Sequence, residues 1–442
     1  MGTRTCQTTK TESQKDPLVA TSGEVFSDAV IDLMASRDIC RPNLLLWDGQ
    51  REVVAPRIRY GGVIYEAPQL HRSIGQAIRF PASVNWRGTS TELFAEFAAF
   101  LQTYMGFREE IAEGLSLWNA STWLSDVLPS PPALAIWGPD MSTAVTLFVL
   151  LGCASRRALK LAGVSRAALV GLPMHLRPTW FLNQPDLPRG MWQLCRSSNH
   201  RGMVVPGRGG AVLDWVSSKA IFLGVTSSAN ILSGEALRIS LPPAEPGLPL
   251  LDEQALSKIA EAFQARFLAF RLDWLTKERA ASSADRHVSF PGSELAQNLF
   301  ACVRHEPSLI QKITPLLSAQ QEEERARRKL DPNFVLIEVF WDPAHAGSEI
   351  AVKKIAEEVH VRLRARGEKW VYSEEDIGWM LTHLGFARRP RNGGGKVLRF
   401  SGETTRLVHE HARRFGLDFP RVQGCPYCAQ PETVVPTAVQ EV

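Results

Sequence analysis

The clearest helical pattern of apolar positions lies in residues 89–107. A capping residue, Thr89 or Ser90, opens the segment, and Glu92 follows in the first turn. The apolar side chains then recur at intervals of three and four, at Leu93, Phe94, Phe97, Phe100 and Leu101. This spacing predicts an amphipathic helix that packs one face into a core.

Two further stretches predict helices, 109–127 and 252–278. The second has an apolar stripe formed by Leu256, Ile259, Phe263, Phe267, Phe270 and Trp274. Short apolar runs of strand length alternate with helical segments between these stretches, at 133–137, 178–184, 219–225 and 236–241. Buried strands that alternate with helices predict a parallel sheet covered on both faces.

Two other segments alternate as hairpins do. Residues 44–78 form strand-like pieces with Gly61 and Gly62 near a turn, and the Gly-rich segment 199–214 separates two more. The domain boundaries that we predict are a disordered tail at 1–22, a β-hairpin and helical region at 23–130, an α/β core at 131–315, a charged helical linker at 316–334, a C-terminal domain at 335–422 and a tail at 423–442.

Composition and charge narrow the class of protein. Apolar residues make up 45% of the 442 residues and charged residues 22%, as in soluble globular proteins. The net charge of +4 does not by itself indicate nucleic acid. However, residues 351–422 hold 15 Lys and Arg against 9 Asp and Glu, a local +6, so the remainder is near −2.

The seven cysteines are scattered and odd in number, so we expect no disulfide framework and a reducing environment. The polar N-terminal segment lacks the apolar core of a signal peptide, and the most apolar run, 144–152, is too short to cross a bilayer. We therefore expect a cytoplasmic protein without membrane contact.

Residues 134–148, LAIWGPDMSTAVTLF, have the outline of a phosphate-binding loop. The working pattern is G-x-x-x-x-G-K-[ST] between a buried strand and a helix. Gly138 stands at the first glycine, but Thr143 replaces the second, Ala144 the lysine and Val145 the magnesium-binding hydroxyl. The frame is therefore expected to survive without its ligands.

Each replacement removes a defined interaction. Ala144 supplies no charge for the phosphate oxygens, Val145 supplies no oxygen for Mg²⁺, and Thr143 adds a Cβ where glycine gives conformational freedom. Thr146 comes one residue too late for the metal. Gly138, Thr143 and Thr146 are thus the residues of a vestigial nucleotide site.

Several segments in order resemble those of the poxvirus-type primase–helicase ATPases, the superfamily 3-like AAA+ helicases of phages and plasmids. They are ASTWLSDVLPSPPALAIWGP at 120–139, RPTWFLNQPDL at 177–187, KAIFLGV at 219–225 and VHEHARRFGL at 408–417. The resemblance covers residues 85–330 and the C-terminal unit. It implies an α/β fold: a P-loop AAA+-like three-layer core with helical flanks and a C-terminal winged-helix domain.

Against that family, the second acidic motif is also altered. Asn183 stands where the resemblance implies an Asp that holds magnesium, and Gln184 stands where it implies a Glu that orients water. Glu235 occupies the position near which an arginine finger is implied, and Arg238 is three residues away. Both Walker motifs are therefore degenerate. The alternative is an unrelated α/β protein in which Gly138 and Pro139 form only a turn.

The nucleic-acid candidates lie in two hairpins. The 199–214 hairpin contains Arg201 and Arg208, and Lys219 follows it. These three cations are candidate DNA contacts, although a solvated surface loop that binds no DNA is an equal alternative. The C-terminal hairpin carries Arg388, Arg389, Arg391, Lys396 and Arg399 around a Gly-rich tip, a pattern typical of a phosphate-contacting wing. A protein-binding winged helix is the alternative there.

No metal site is assigned from the sequence, and Cys425 and Cys428 are expected to be a reduced, exposed pair, with zinc binding as the alternative. Cys425 and Cys428 form a lone CxxC, which supplies only half of the four ligands of zinc. His409 and His411 are two residues apart on a predicted helix, so they project from different faces. No Ser-His-Asp or paired-carboxylate motif is visible, and no cofactor is expected.

Three hypotheses follow. The first is a helicase-like protein without ATP hydrolysis that binds DNA or a replication partner, in a homo-oligomeric ring or in a mixed assembly with an intact ATPase. The second is an active ATP-dependent DNA helicase of a mobile element, using ATP and Mg²⁺ with Thr146, Asn183 and Arg238 as substitutes. The third is a winged-helix regulator whose central domain mediates oligomers. Whether the protein is an enzyme stays open, and we favour a protein without ATPase activity.

Overall fold

The structure is a computed structural model. It describes residues 16–185, 189–206, 212–214, 216–224, 235–242, 249, 252–281, 293–369, 371–387, 389–390, 395–417 and 419–428. The chain divides into two compact units, Met1–Gln320 and Gln321–Val442.

The first unit begins with two small sheets. Their strands are β1 (Leu18–Ala20), β2 (Glu24–Val25), β3 (Val30–Met34), β4 (Asn43–Trp47), β5 (Glu52–Ala55), β6 (Arg57–Tyr60) and β7 (Val63–Glu66). One sheet has the antiparallel order β2-β3-β4-β5 and the other the order β1-β7-β6. Gly61 and Gly62 have φ of 57° and 77° between β6 and β7, as a two-residue hairpin turn requires. The predicted hairpin at these glycines is confirmed.

Helices follow these sheets. They are α1 (Arg72–Ala77), α2 (Ser90–Met105) and α3 (Glu109–Thr122). Thr89 and Glu92 form a reciprocal capping box at the start of α2, which confirms the predicted helix start. The helix predicted over 109–127 ends earlier, at Thr122, and turns follow it.

The central sheet of the first unit is parallel. Its strands in chain order are β8 (Ala133–Trp137), β9 (Ala158–Leu161), β10 (Thr179–Leu182), β13 (Lys219–Phe222) and β14 (Ala236–Ser240). Two further strands, β11 (Val204–Pro206) and β12 (Val212–Asp214), lie between β10 and β13 along the chain and are not part of this sheet. The spatial order is β14-β8-β13-β10-β9. Strands β11 and β12 pair antiparallel, so the predicted 199–214 hairpin is present in its described residues.

Helices cover both faces of this sheet. They are α4 (Met141–Ala154), α5 (Arg166–Val170), α6 (Arg189–Ser197), α7 (Glu253–Ala280), α8 (Glu294–Cys302) and the start of α9 (Pro307–Arg328), within which the two units divide. Alternate strand residues enter different cores. Ile136 and Phe222 pack with α3, α4 and α7, whereas Ala135 and Ile221 pack with α5 and α6. The prediction of a parallel sheet covered on both faces is confirmed.

A buried ionic network joins the small sheets to the core of the same unit. Asp32 of β3 accepts hydrogen bonds from Arg156 at 2.9 Å, Arg157 at 2.5 Å and Arg271 at 2.9 Å. Arg271 also donates two N–H groups to Asp126, at 2.6 and 2.5 Å. All five side chains are almost fully buried, so each charge depends on its partners.

The second unit alternates helices with a small antiparallel sheet. Its elements are α10 (Pro332–Ala346), β15 (Glu349–Ala351), α11 (Val352–Ala365), α12 (Glu374–His383), β16 (Arg389–Pro390), β17 (Lys396–Arg399) and α13 (Gly402–Phe415). The sheet order is β15-β17-β16. Phe340, Ile355, Leu381, Leu398 and Val408 share a core that draws on most of these elements.

None of the helices that the structure describes is both long enough and apolar enough to cross a bilayer.

Candidate functional site

The central sheet has a topological switch point between β8 and β13, where the order in which strands are added reverses. From β8 the chain crosses to the far edge at β9, returns through β10 to β13, and then places β14 on the other side of β8. In open α/β sheets, ligands bind outside the carboxyl ends of the strands at such a point. The loop after β8, which begins at Gly138, lies at this position. The arrangement is consistent with a P-loop-like core.

This loop is much shorter than the motif requires. Strand β8 ends at Trp137 and α4 begins at Met141, so only residues 138–140 connect them. A phosphate-binding loop would extend from Gly138 to Thr143. The expected strand and helix are both present, but the connection between them is a short turn and not an extended phosphate-binding loop.

Asp140 is the reason that the helix begins early. Its side chain accepts the backbone N–H groups of Ser142 at 2.9 Å and Thr143 at 3.3 Å, as an N-cap residue does. The hydroxyls of Ser142 and Thr143 also donate to the same carboxylate, at 2.9 and 2.5 Å. Backbone N–H groups in this position, at a helix N-terminus, are those that hold a phosphate in nucleotide-binding proteins.

The electrostatics of the cap favour a charged carboxylate. The Thr143 hydroxyl, followed by the backbone N–H and hydroxyl of Ser142, lowers the pKa of Asp140 to about 2. A permanent negative charge thus lies at the positive end of α4. A phosphate that approached the same N–H groups would meet both a competitor for hydrogen bonds and a like charge.

The positions of the missing ligands are equally unsuited to a nucleotide. Ala144 is fully buried and packs in the main core, so a side chain at this position faces inward. Val145 is 43% exposed. The Thr146 hydroxyl donates to the carbonyl of Ser142 at 3.1 Å, within its own helix. The role proposed for Thr146 in an unorthodox magnesium site gains no support from this geometry.

Gly138 has a packing role instead of a phosphate-binding role. A Cβ at this position would lie 2.9 Å from the Cβ of Leu241, the residue after β14. Its backbone N–H donates to the carbonyl of Gly224, 3.3 Å away beyond β13. The loop is thus joined to both neighbouring strands, and the first glycine allows Leu241 to approach.

The second altered motif also lacks a nucleotide-directed geometry. Gln184 accepts the backbone N–H of Val164 at 2.7 Å, in the loop after the edge strand β9. Because β9 lies on the side of β10 away from β8, Gln184 reaches away from the Gly138 loop. The Oδ1 atom of Asn183 is buried and accepts no hydrogen bond from the described residues.

Glu235 lies at the opposite end of the sheet. It precedes β14, and its backbone carbonyl accepts the N–H of Ala133 at the start of β8. Its carboxylate accepts hydrogen bonds from Arg196 at 3.2 Å and Asn199 at 3.0 Å. Glu235 therefore fixes the end of α6 in its own chain. Arg238 lies within β14, where its guanidinium stacks over Trp137.

Two of the predicted DNA-binding residues in the core are structural. Lys219 is fully buried, and its ammonium donates to the Cys195 carbonyl at 2.9 Å, the Ser198 hydroxyl at 2.8 Å and the Asn199 carbonyl oxygen. Burial lowers the pKa of Lys219 to about 8. The prediction that Lys219 contacts DNA is wrong, because its charge is enclosed beneath α6.

Arg201 is likewise engaged within the protein. Its Nε donates to the Leu128 carbonyl at 2.6 Å and its Nη2 to the Ser125 carbonyl at 3.4 Å. These bonds attach the start of the 199–214 hairpin to the segment after α3. Arg208 lies outside the described residues. No described residue of this hairpin is thus left as a clear phosphate contact.

The C-terminal hairpin retains its exposed charges. Lys396 and Arg399 point outward from β17, while Val397 and Leu398 between them are buried. Arg399 forms an exposed ion pair with Glu349 at 3.5 Å. Arg389 lies in β16, where its backbone pairs with that of Val397 in β17. Arg388 and Arg391 lie outside the described residues.

Four metal-binding side chains meet in the second unit. His345 of α10, His409 of α13, Cys425 and Cys428 place one ligand atom each within 4.8 Å of all the others. The His345 and His409 Nε2 atoms are 3.2 Å apart, and the Cys428 Sγ is 3.3 Å from His345 Nε2. The Cys425 Sγ lies 3.4 Å from His409 Nε2, and the Cys428 Sγ lies 3.9 Å from it.

The sequence pattern does not reveal His345 and therefore indicates only half of a ligand set. It correctly separated His409 from His411, whose Nε2 instead contacts the Leu384 carbonyl at 2.9 Å. His345 is 64 residues before His409 and no local spacing connects them. The packing of α10 against α13 brings the two imidazoles together.

Comparisons with known proteins leave the family open. No protein-family model matches the chain, and no curated protein matches it. Among solved structures, the apo NrS-1 C-terminal region is similar at 8% identity and a TM-score of 0.36, over 84% of this chain and 97% of that one. The SCCmec type IV Cch active helicase is similar at 11% identity and a TM-score of 0.38, over 90% and 81%.

A third similar structure is Cdc6p from Pyrobaculum aerophilum, at 15% identity and a TM-score of 0.18, over 73% of this chain and 99% of that one. At these identities and TM-scores, the similarities assign neither a family nor a function.

Proposed function

We propose that this chain is a helicase-like AAA+ protein that has lost ATP hydrolysis and acts by binding DNA or a replication partner. The observation that carries the proposal is the Asp140 carboxylate at the N-terminus of α4, on the N–H groups of Ser142 and Thr143. A helix N-terminus at a sheet's switch point is where such a protein would hold phosphate. Here the chain's own carboxylate takes that place.

The strand order supports the AAA+ part of the proposal. Numbered along the chain, the core strands stand in the order 5-1-4-3-2, and all of them are parallel. An open parallel sheet with its first strand inside the sheet and a switch point beside it fits the P-loop-like core that the resemblance implies. The altered positions would then be the loop after the first strand, Asn183 and Gln184 after the third, and Glu235 before the fifth.

The loss of catalysis follows from what ATP hydrolysis needs. Phosphoryl transfer depends on positioned cations and donors around the phosphates, with a lysine and a hydroxyl-bound Mg²⁺ in P-loop enzymes. The lysine position is the buried Ala144, and the Thr146 hydroxyl is engaged with Ser142. The Gln184 amide is engaged with Val164. The side chains of Ala144, Thr146 and Gln184 therefore do not converge on one phosphate site.

Steady-state ATPase activity with single-stranded DNA and direct binding of MgATP test this part. We expect no turnover above buffer and no saturable binding. Turnover of about one per second, an ordinary enzymatic rate, that Thr146→Ala abolishes would contradict the loss of ATP hydrolysis and favour the active helicase. Thr103→Ala is the matched control, because the Thr103 hydroxyl makes the same bond to the fourth preceding carbonyl in α2.

A second function, DNA binding, is favoured by the C-terminal unit. Its order of helix, strand, two helices, hairpin and final helix supports a winged-helix assignment. Lys396 and Arg399 are exposed on the wing strand. In contrast, α12 begins with Glu374, Glu375 and Asp376, all exposed. We infer that the wing contacts phosphate and that α12 does not enter a groove through its first turn.

Fluorescence anisotropy with single-stranded and duplex oligonucleotides, measured over a range of salt concentrations, tests this inference. Lys396→Glu with Arg399→Glu should weaken binding and flatten the salt dependence by about 0.9 per lost phosphate contact on duplex. Lys353→Glu with Lys354→Glu changes the net charge equally on the exposed start of α11 and serves as control. Equal effects of both double variants would leave no role for the wing.

A further inference from the structure

We propose that His345, His409, Cys425 and Cys428 form a zinc site that fastens the segment after α13 to α10. Cysteine and histidine in equal number are a common ligand set of structural zinc. The four residues belong to one unit and come from three separate places along it: the last turn of α10, the middle of α13 and the CxxC segment.

Four of the six distances between the ligand atoms are close to those of a tetrahedral site, and all six are within 4.8 Å. Zinc lies about 2.0–2.1 Å from histidine nitrogen and 2.3 Å from cysteine sulfur. Tetrahedral angles then separate two nitrogens by about 3.3 Å, and a nitrogen from a sulfur by about 3.6 Å. The two Nε2 atoms are 3.2 Å apart, and three nitrogen–sulfur distances are 3.3, 3.4 and 3.9 Å.

A site of this geometry is poorly explained by hydrogen bonds alone. Two Nε2 atoms face each other together with two sulfur atoms, so four acceptors compete for very few protons. A divalent cation at the centre satisfies all four lone pairs at once. Soft thiolates with imidazoles select zinc over magnesium or calcium, which prefer oxygen.

The ring of His345 is already oriented for this task. Its Nδ1 is 2.7 Å from the carbonyl of Trp341, one turn earlier in α10, so Nδ1 carries the proton and Nε2 presents its lone pair. Histidine ligands of zinc commonly donate their second N–H to a carbonyl in this way. The backbone N–H of Val422 lies 3.5 Å from the Cys428 sulfur, where it supports a thiolate.

The surroundings indicate a structural site. His409 is buried, and the ring of Trp341 lies 4.7 Å from the His345 ring and 4.6 Å from the His409 ring. Phe419 stacks on Trp341 at 4.2 Å, which covers the site further. With four protein ligands, no position is left open for substrate or activated water, as in structural zinc sites.

The zinc would stabilise a part of the chain that has few other supports. The described residues between 416 and 428 contain no helix or strand, although Phe419 and Cys428 reach the core of the unit. Zinc binding therefore contributes directly to folding of this segment. Binding releases the two thiol protons to solvent, so affinity rises with pH.

Metal content of the full-length chain, purified under reducing conditions and dialysed, is the first measurement. We expect about one zinc per chain. Chelator should lower the melting temperature and remove the metal. Cobalt added to the chelated protein should then give the intense visible absorption of tetrahedral thiolate coordination, which reports geometry independently of stability.

Variants assign the ligands. Cys425→Ser and His345→Asn should lose zinc and the cobalt absorption, whereas Cys425→His keeps a fourth ligand, as a third nitrogen donor, and should retain zinc. Cys40→Ser and His383→Asn are matched controls outside the cluster and should bind as the parent does. Circular dichroism of each variant separates loss of metal from loss of fold. If a variant does not fold, the cobalt titration of the parent protein still tests the site.

The proposal fails if the reduced parent protein contains no zinc and gives no tetrahedral cobalt spectrum. It fails equally if Cys425→Ser, correctly folded, keeps a full equivalent of zinc. Recovery of Cys425 and Cys428 only as a disulfide, with no metal bound after reduction, would assign the pair to redox chemistry instead. None of these outcomes depends on ATP or DNA binding.

Discussion

The carboxylate of Asp140 accepts the backbone N–H of Thr143 at 3.3 Å and also holds the hydroxyl of the same residue. Thr143 is the position at which a working phosphate-binding loop has its second glycine. The contact turns the end of the loop into the first turn of α4. The motif is thus lost in two ways, because its ligands are replaced and its loop is incorporated into a helix.

Restoring the lysine alone should therefore damage the protein without creating a nucleotide site. Ala144→Lys places an ammonium in the main core, where Ala144 is fully buried, and should lower the free energy of unfolding by several kcal/mol. Val145→Lys is the matched control, because this neighbouring side chain is 43% exposed and a lysine there reaches water. Urea denaturation and MgATP binding of both variants test the point. Stability like that of the parent together with new MgATP binding by Ala144→Lys would contradict the helix start at Met141.

Asp140 should contribute to stability in a way that depends on pH. Its pKa in the folded protein is lowered to about 2 from an ordinary 3.8, so the stabilisation is present above the ordinary value and is lost as the pH falls towards 2. Asp140→Ala should lower the urea midpoint near neutral pH, and its difference from the parent should shrink on acidification. Asp140→Asn keeps a capping oxygen without the charge, so it should lie between the two. A difference between parent and Asp140→Ala that does not change with pH would contradict the charged cap.

Lys219 should matter for stability and not for DNA binding. Lys219→Met leaves the Ser198 hydroxyl and the Asn199 carbonyl oxygen without their donor and should cost about 2 kcal/mol. Lys160→Met, on the exposed side of the edge strand β9, should change stability by less than about 0.5 kcal/mol. Anisotropy under conditions where both variants are folded should give the parent's DNA affinity. A specific loss of affinity in Lys219→Met would restore the original prediction.

The predictable parts of this fold are those that local patterns determine. The apolar stripe behind Thr89 predicted α2, and the pair Gly61 and Gly62 predicted a hairpin turn, because burial and positive φ are both visible within a few residues. Four of the five core strands, β8, β10, β13 and β14, were likewise predictable from short apolar runs. Their parallel arrangement followed from the alternation with helices.

The parts that were missed depend on competition between local signals or on distant packing. Asp140 is an ordinary N-cap residue, but the longer phosphate-loop template concealed that signal. Lys219 was predicted to contact DNA because it follows the 199–214 hairpin, whereas its burial depends on packing against residues 195–199, which the local sequence does not show. His345 joins a CxxC segment 80 residues later only through the packing of α10 and α13, which no spacing along the chain reveals.

The buried network around Asp32 predicts the acid sensitivity of the first unit. Burial by itself would raise the pKa of Asp32, but the charges of Arg156, Arg157 and Arg271 outweigh it and hold the pKa well below its usual range. The pKa of Asp126 is lowered for the same reason, chiefly by Arg156 and Arg271 against the effect of burial. Carboxylates with a lowered folded-state pKa stabilise the protein above their ordinary pKa and lose this contribution as the pH falls below it. The urea midpoint should therefore fall steeply below about pH 4.

Asp32→Asn tests this directly. Removing the charge leaves three buried guanidinium groups around one remaining carboxylate, which should cost about 3–5 kcal/mol near neutral pH. The variant should also lose part of the steep acid dependence, because one of the two titrating groups is gone. Asp273→Asn breaks the half-exposed ion pair with Lys277 and should cost less than about 1 kcal/mol without altering the acid dependence. If Asp32→Asn and Asp273→Asn unfold at similar urea concentrations, the network does not hold the small N-terminal sheets to the core, and another contact must join them.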